Sequence, residues 1–356
     1  MQKDTLNLFL AANSFEGFVS KFAECYKPYE GWKVYIIKGG PGTGKSSFMK
    51  FVAKKAHEND LVCLTCPCSS DPDSLDAVIL PDKKTVILDG TAPHTLDPVY
   101  PAVCEEILNF GEFWNSEKLE GKTKVLELTE ENGRLHQTAS RYLQAAGKLL
   151  TDNYKTALFC TDRKKAEKFA KKLCKNLIPK TDKTPHEWVG FLGGIGPKGL
   201  MGFSDTPEKI CKRLVVIKDK YYASSNLIME EIRETALNNG YEIITFKNPF
   251  LPSIITDHII IPELSLGFVT ENDFLTFADN SRRIHSVRFT NAKQLKQSKE
   301  RMNFNKKAID YLLKCSYSTL AEAKAVHDKL ESYYIEAMEF EKLNDFKEKF
   351  CKKLFS

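Results

Sequence analysis

The sequence lacks a long hydrophobic run. Its longest apolar stretches are the length of a strand, whereas a helix that crosses a bilayer needs about 20 apolar residues, so we expect no membrane-spanning helix. Residues 1–5 also lack the basic region followed by an apolar stretch that is typical of a signal peptide. These absences favour a cytoplasmic protein whose ten cysteines are reduced thiols.

The sequence also has little excess charge of either sign. The formal net charge is +5 over 356 residues, but the positive charge is concentrated in two segments, 163–183 and 282–307, which we interpret as basic helices. Each could bind nucleic acid or an acidic partner. Each could equally be the solvated face of a lysine-rich helix, which is the more ordinary interpretation.

A glycine-rich loop at residues 39–46 matches the pattern G-x-x-x-x-G-K-[ST] of the phosphate-binding P-loop. The apolar, β-branched run at 33–38 predicts a strand before it, and the periodicity of 47–57 predicts a helix after it. Glycines let a backbone approach phosphates closely, and N–H groups at a helix start attract anions. The predicted nucleotide-binding residues are Gly39, Gly40, Pro41, Gly42, Thr43, Gly44, Lys45, Ser46 and Ser47.

A second apolar run, at 85–89, ends in Asp89. In P-loop proteins such a strand lies beside the P-loop strand, and its carboxylate helps to hold Mg²⁺ together with the P-loop hydroxyl. We therefore expect Ser46 and Asp89 at a Mg²⁺ site, and Lys45 and Asp89 as the catalytic pair. No glutamate follows Asp89, which argues against a fast ATPase. Candidate bases are His94, Asp97, Glu105 and Glu106, and candidate γ-phosphate arginines are Arg134, Arg141, Arg163 and Arg213.

The chain contains an internal repeat with a period of about 180 residues. Segment 9–18 matches 191–200, and 34–38 matches 214–218. We therefore predict two copies of one α/β unit, at 1–186 and 187–356, that pack against each other. In the second copy the loop at 219–226 has no glycine and no lysine at the P-loop position, and no acid corresponds to Asp89. We expect this copy not to bind nucleotide through that loop.

Helical periodicity dominates the segments 104–175 and 292–350. We interpret each as a pair of long helices that forms a helical hairpin insertion. The predicted fold class is therefore α/β, with a mainly parallel sheet flanked by helices occurring twice.

Through the loop at 39–46 and the strand at 85–89 the chain resembles the P-loop NTPase superfamily, which implies binding of ATP with Mg²⁺. The whole chain looks like an uncharacterised family of bacterial ATP-binding proteins with two P-loop-like halves, although such proteins typically keep both loops. The leading hypothesis is a slow or partner-stimulated ATPase. One alternative is a kinase of a small molecule or nucleotide, whose acceptor meets the acidic loop 71–76. Another is an ATP-gated protein that binds nucleic acid or an acidic partner.

Overall fold

The computed structural model describes residues 6–92, 95–278 and 281–356. Most of their strands belong to two six-stranded sheets, one in each half of the chain. In chain order the strands are β1 (Leu6–Asn7), β2 (Ala11–Ser14), β3 (Gly17–Ser20), β4 (Lys33–Lys38), β5 (Leu64–Pro67), β6 (Leu75–Leu80), β7 (Thr85–Asp89), β8 (Glu105–Asn109), β9 (His186–Gly190), β10 (Gly193–Gly196), β11 (Gly199–Gly202), β12 (Arg213–Lys218), β13 (Glu242–Lys247), β14 (Thr256–Ile261), β15 (Leu266–Glu271) and β16 (Arg282–His285).

The two sheets have the same strand order. The first reads β1-β5-β6-β7-β4-β8 and the second β9-β13-β14-β15-β12-β16. In each sheet the third strand of this order, β6 or β14, pairs antiparallel with both of its neighbours. The other pairs, such as β4–β7 and β12–β15, are parallel. Both sheets are therefore mixed. Even an irregularity is repeated, because the register shifts at Cys66/Pro67 in β5 and at Phe246/Lys247 in β13.

The two halves meet around an approximate two-fold axis. Phe9 and Phe191, which the sequence comparison matches, donate their N–H groups to each other's carbonyl oxygens at 2.8 Å. The hairpin β2–β3 lies near the hairpin β10–β11, and the Asn13 amide donates to the Ile195 carbonyl oxygen at 3.0 Å. The two halves of the chain are therefore in direct contact.

The sheets face each other, and helices pack on their outer sides. Side chains of a strand alternate between the two faces of a sheet. In β4, Val34 and Ile36 therefore join a buried cluster that also contains Leu214 and Val216 of β12. Tyr35 and Ile37, on the opposite face of β4, pack instead against helices. The α/β class with helix-flanked sheets is confirmed, but the inner flank of each sheet is the other sheet.

The helices do not form the expected hairpins. In chain order they are α1 (Lys45–Glu58), α2 (Lys122–Phe159), α3 (Arg163–Leu177), α4 (Asp205–Ile210), α5 (Ala223–Asn238), α6 (Ala292–Gln297), α7 (Lys299–Ala337) and α8 (Phe340–Phe355). The long helices α2 and α7, from different halves, run antiparallel along each other with Val125 near Val326 and Asn153 near Met302. Each long helix buries its apolar stripe on the other, because helices gain most of their stability from such packing. The predicted pairing of neighbouring helices was wrong.

The halves also exchange their last helices. Helix α3, from the first half, packs against α5 and the second sheet, and α8, from the second half, packs against α1 and the first sheet. Matching backbone hydrogen bonds direct the two exchanges. Asp162 N–H donates to the Phe289 carbonyl at 2.8 Å, and Glu339 N–H donates to the Phe113 carbonyl at 2.8 Å.

The two basic segments differ from the predicted helices. In 163–183, α3 ends at Leu177, just before the Ile178–Pro179 step that disfavours helix. Segment 282–307 is not one helix, since it contains β16, a short 3-10 helix at Ser286–Phe289, α6 and the start of α7. The side chain of Asn291 accepts a hydrogen bond from Gln294 N–H and so begins α6 as a new helix.

Among the described residues, no helix combines the length and apolar character needed to cross a bilayer. The ten cysteines are free thiols, as expected. Burial raises the pKa of Cys63 to about 12, so this thiol stays protonated at neutral pH.

Candidate functional site

The glycine-rich loop connects β4 to α1 at the carboxyl end of the first sheet. The predicted strand and helix on its two sides are both present. Gly42 and Gly44 have φ angles of +68° and +79°, a left-handed conformation that glycine adopts without the strain that a Cβ would cause. Gly44 immediately precedes α1, so the loop delivers its N–H groups to the positive end of a helix.

The side chain of Lys45 folds back onto this loop. Its ammonium group donates to the carbonyl oxygens of Gly39 and Gly40, at 3.2 Å and 2.7 Å. It also lies 3.6 Å from the Asp89 Oδ2 atom, and both side chains are largely buried, at 12% and 14% exposed. The two predicted catalytic residues therefore form an ion pair.

Asp89 reaches this position because β7 is the parallel neighbour of β4, as the sequence predicts. Ile37 and Asp89 lie opposite each other in the sheet, so both strands end at the same edge. The other carboxylate oxygen of Asp89 accepts hydrogen bonds from the N–H and hydroxyl groups of Thr91. These bonds fix the orientation of the carboxylate.

The remaining predicted residues surround the same point. Ser46 Oγ accepts a hydrogen bond from Leu75 N–H at 3.0 Å, and Thr43 Oγ1 donates to the Gly40 carbonyl at 2.9 Å. Ser47 is exposed, and Pro41 is half-buried. The structure thus brings all of the predicted loop residues and Asp89 together at one edge of the first sheet.

The acidic loop at 71–76 borders this edge. Through Leu75 it contacts Ser46, and its Asp71 carboxylate lies 3.5 Å from the Lys324 ammonium group of α7. Lys324 also pairs with Asp328 at 2.6 Å. Burial lowers the pKa of Lys324, but the carboxylates of Asp328 and Asp71 outweigh it and raise the pKa above its ordinary value. Lys324 is therefore a fixed cation beside the site.

The end of α7 covers the outer side of the glycine-rich loop, which sequence reasoning missed. Glu331 Oε1 accepts a hydrogen bond from Gly42 N–H at 3.2 Å. Tyr334 stacks on Trp114 with their ring centroids 5.4 Å apart, and a Cβ on Gly40 would lie 2.9 Å from the Trp114 ring. No local motif marks these residues. The only signal is that the repeat continues into the helices, since α7 begins 177 residues after α2 and α8 begins 177 residues after α3.

Two of the acidic candidates for a general base lie away from the loop, and a third is paired with a lysine. Glu105 begins β8 and pairs in register with Val34, so it lies roughly 13 Å from the loop edge at the usual rise per residue. Glu106 follows it on the same strand. Asp97 forms an ion pair with Lys38 at 2.7 Å. His94 lies outside the described residues.

The candidate arginines belong to three other places. Arg134 and Arg141 are exposed on α2, Arg163 begins α3 against the second sheet, and Arg213 begins β12. The positions of Arg163 and Arg213 in the other half's layers do not match a γ-phosphate role at the loop 39–44.

The corresponding loop of the second half is shorter and is closed by its own carboxylate. Four residues, 219–222, connect β12 to α5. The Asp219 carboxylate, 4% exposed, accepts hydrogen bonds from the N–H groups of Tyr221, Ser224 and Ser225 at 3.1, 2.8 and 2.9 Å, and from the Ser224 hydroxyl at 2.9 Å. A side-chain anion therefore lies at the start of α5, where an external anion would otherwise bind.

The first loop has the donor set that a nucleotide and Mg²⁺ require. The helix start and Lys45 can face phosphate oxygens, and the Ser46 hydroxyl and the Asp89 carboxylate are oxygen ligands of the kind that Mg²⁺ prefers. His327, Asp328 and Glu331 of α7 also lie within 4.8 Å of one another, but half-exposed acidic groups on one helix do not by themselves indicate a bound ion. Comparison of the chain with protein-family models, with curated proteins and with solved structures finds no match.

Proposed function

We propose that the chain binds one ATP with Mg²⁺ at residues 39–46 and Asp89, and hydrolyses it slowly. The observation that carries this proposal is the ion pair at 3.6 Å between Lys45, the first residue of α1, and Asp89, the last residue of β7. Strand β7 is the parallel neighbour of β4, the strand that leads into the loop. If the glycine turn matched the motif only by chance, a buried carboxylate beside Lys45 would not be expected.

Each residue has a separate role in this proposal. The loop N–H groups and the Lys45 ammonium bind and orient the phosphates, and Lys45 exchanges its bonds to the Gly39 and Gly40 carbonyls for phosphate oxygens. Ser46 and Asp89 are the residues that would hold Mg²⁺, which supplies charge neutralisation on the phosphates when bound. Thr91 keeps the Asp89 carboxylate in place.

We further propose that the two sheets are copies of one P-loop-like unit, and that the second is degenerate. Their identical strand order and the repeated register shift support this. Asp219 supports the loss of nucleotide binding, because its carboxylate already uses the N–H groups at the start of α5. The active nucleotide site is then single.

Slow hydrolysis follows from the surroundings of Asp89. Glu105 and Glu106 lie toward the opposite end of the sheet, and Asp97 is paired with Lys38. General-base catalysis needs a group within hydrogen-bond reach of the attacking water. Glu105 and Glu106 do not offer one, and the carboxylate of Asp97 is held by Lys38. We therefore propose that a partner stimulates turnover.

A kinase is the second candidate for the same site. The acidic loop 71–76 lies beside Ser46, with Leu75 N–H bonded to its hydroxyl, so an acceptor molecule could bind next to the phosphates. Transfer of labelled γ-phosphate to a metabolite rather than to water would favour this reaction.

An ATP-gated binding function has support from the basic surface. The structure brings parts of the two basic segments together, since Lys165 donates to the Arg288 carbonyl at 2.7 Å and the Arg288 guanidinium lies 4.8 Å from the Phe169 ring centroid. The exposed side of α3 carries six further basic residues: Arg163, Lys164, Lys168, Lys171, Lys172 and Lys175. Retention on DNA or RNA that falls steeply with salt would indicate a nucleic-acid partner.

The proposed function is tested by ATP turnover of the wild type and of Lys45→Ala, each with and without cell extract. We expect slow turnover by the wild type, stimulation by the extract, and loss of both in the variant. Equal turnover by the two proteins would refute the proposed site.

A further inference from the structure

In both halves a carboxylate accepts hydrogen bonds from N–H groups between the first strand of the repeat, β4 or β12, and the helix that follows it. The two carboxylates belong to different parts of the chain. In the second half the acceptor is Asp219, which belongs to the loop itself and is buried. In the first half the acceptor at Gly42 is Glu331, which comes from α7 and lies 289 residues further along the chain. Asp219 is therefore part of the loop that it closes, whereas Glu331 can leave the loop that it contacts.

Glu331 is held loosely enough to move. Its side chain is 35% exposed, and its Oε1 atom lies 3.9 Å from His327 Nδ1. The position corresponding to Glu331 in α2, at the same offset of 177 residues, is Tyr154, whose hydroxyl accepts a hydrogen bond from the Asn226 amide at 3.2 Å. In the second half, α2 therefore makes a neutral contact with α5 near its start through Tyr154. In the first half, α7 contacts the glycine-rich loop through the charged side chain of Glu331.

A phosphate and the Glu331 carboxylate cannot use Gly42 in the same way at the same time. Both are anionic acceptors, and the N–H group of Gly42 carries one hydrogen. Two like charges this close also repel each other. The backbone of α7 also lies close to Gly42, because a Cβ on Gly42 would lie 2.9 Å from the Glu331 carbonyl oxygen. A nucleotide whose phosphates take up this N–H group must therefore displace the carboxylate.

We propose that Glu331 is an intramolecular competitor of the nucleotide: its carboxylate accepts the hydrogen bond of the Gly42 N–H group, and phosphate binding displaces it together with the end of α7. The inference rests on the proposed nucleotide site. Because α7 packs along α2, and α2 reaches Asn226 of the second half through Tyr154, this displacement gives the nucleotide a physical route to the second half. Binding and helix position then influence each other reciprocally.

The test is the dissociation constant for ATP with Mg²⁺, measured by titration of a fluorescent ATP analogue into four proteins. These are the wild type, Glu331→Ala, Glu331→Gln and the control Glu336→Gln, which makes the same charge change at an exposed site on the same helix. A partly exposed charged hydrogen bond predicts binding about three- to tenfold tighter in both Glu331 variants. The control should bind like the wild type. Unchanged or weaker binding by both Glu331 variants would overturn the inference.

Two further measurements separate the inference from the proposed function. Lys45→Ala is titrated in parallel. If it loses binding while Glu331→Ala binds with the same dissociation constant as the wild type, the nucleotide site is supported and the competition by Glu331 is refuted. If none of the proteins binds the analogue, both the nucleotide site and the competition are refuted. Hydrogen exchange gives an independent readout, since ATP should speed the exchange of residues 331–337 in the wild type. Slower or unchanged exchange there would contradict displacement of the helix end.

Discussion

Replacing Asp219 tests whether a carboxylate closes the second loop. In Asp219→Ala the N–H groups of Tyr221, Ser224 and Ser225 lose their acceptor. The start of α5 is buried, with Ser224 1% and Ser225 0% exposed, so water cannot easily replace the carboxylate. Each unpaired buried N–H costs about 1–3 kcal/mol. Since such costs are not additive and removal of a buried charge offsets part of them, we expect the free energy of unfolding to fall by about 3 kcal/mol.

The measurement is urea unfolding followed by far-UV circular dichroism and by fluorescence. The control is Asp310→Ala, which removes an exposed carboxylate on α7 and should change the free energy of unfolding by less than about 0.5 kcal/mol. Asp219→Asn keeps one oxygen acceptor and should fall between the two. A loss in Asp219→Ala no larger than in the control would refute the assignment of Asp219 as the anion that holds this loop.

Three further outcomes follow from the structure. Burial raises the pKa of Asp257 to about 7. Because this exceeds its unfolded value, the carboxyl stabilises the fold at low pH and loses that contribution as pH rises from about 4 to 7. The free energy of unfolding of Asp257→Asn should therefore rise by about 3 kcal/mol relative to that of the wild type between pH 4 and pH 8, and an equal difference at both pH values in urea unfolding would contradict this. Leu343→Ala, in the exchanged helix α8 and fully buried, should lower the free energy of unfolding by about 3 kcal/mol; a loss below about 1 kcal/mol would mean that α8 does not pack on the first sheet. ATP should change the tryptophan fluorescence through Trp114, which contacts the glycine-rich loop. Trp114→Phe should remove this fluorescence change, and a change that persists in the variant would place the nucleotide elsewhere.

The local structure of the site could be predicted from the sequence because it depends on neighbouring residues. The run before the loop is β-branched and apolar, the glycines permit the turn, and the helix follows at once, so β4, the loop and α1 lie where the pattern puts them. Asp89 could be placed because a parallel neighbour in such a sheet ends at the same edge. The repeat was visible because matching segments keep a nearly constant spacing, and the two sheets share one strand order.

The exchange of helices could not be predicted in this way. The apolar stripes of α2 and α7 show that each helix needs a partner, but not which one. The choice depends on contacts between distant residues, such as Asp162 N–H with the Phe289 carbonyl. Glu331 was missed for the same reason, since it reaches Gly42 only because α7 crosses to the first half. The stacking of the two sheets on each other could not be predicted either, because alternating apolar residues pack equally well on helices or on another sheet.

The most direct test of the proposed site is the stoichiometry of ATP binding with Mg²⁺, measured by isothermal titration calorimetry. The wild type should bind one nucleotide per chain, and Lys45→Ala should bind none in the same concentration range. Lys220→Ala, which removes the exposed lysine of the second loop, should bind one with unchanged affinity. Two nucleotides per chain, or equal binding by the wild type and Lys45→Ala, would contradict a single site at residues 39–46 and Asp89.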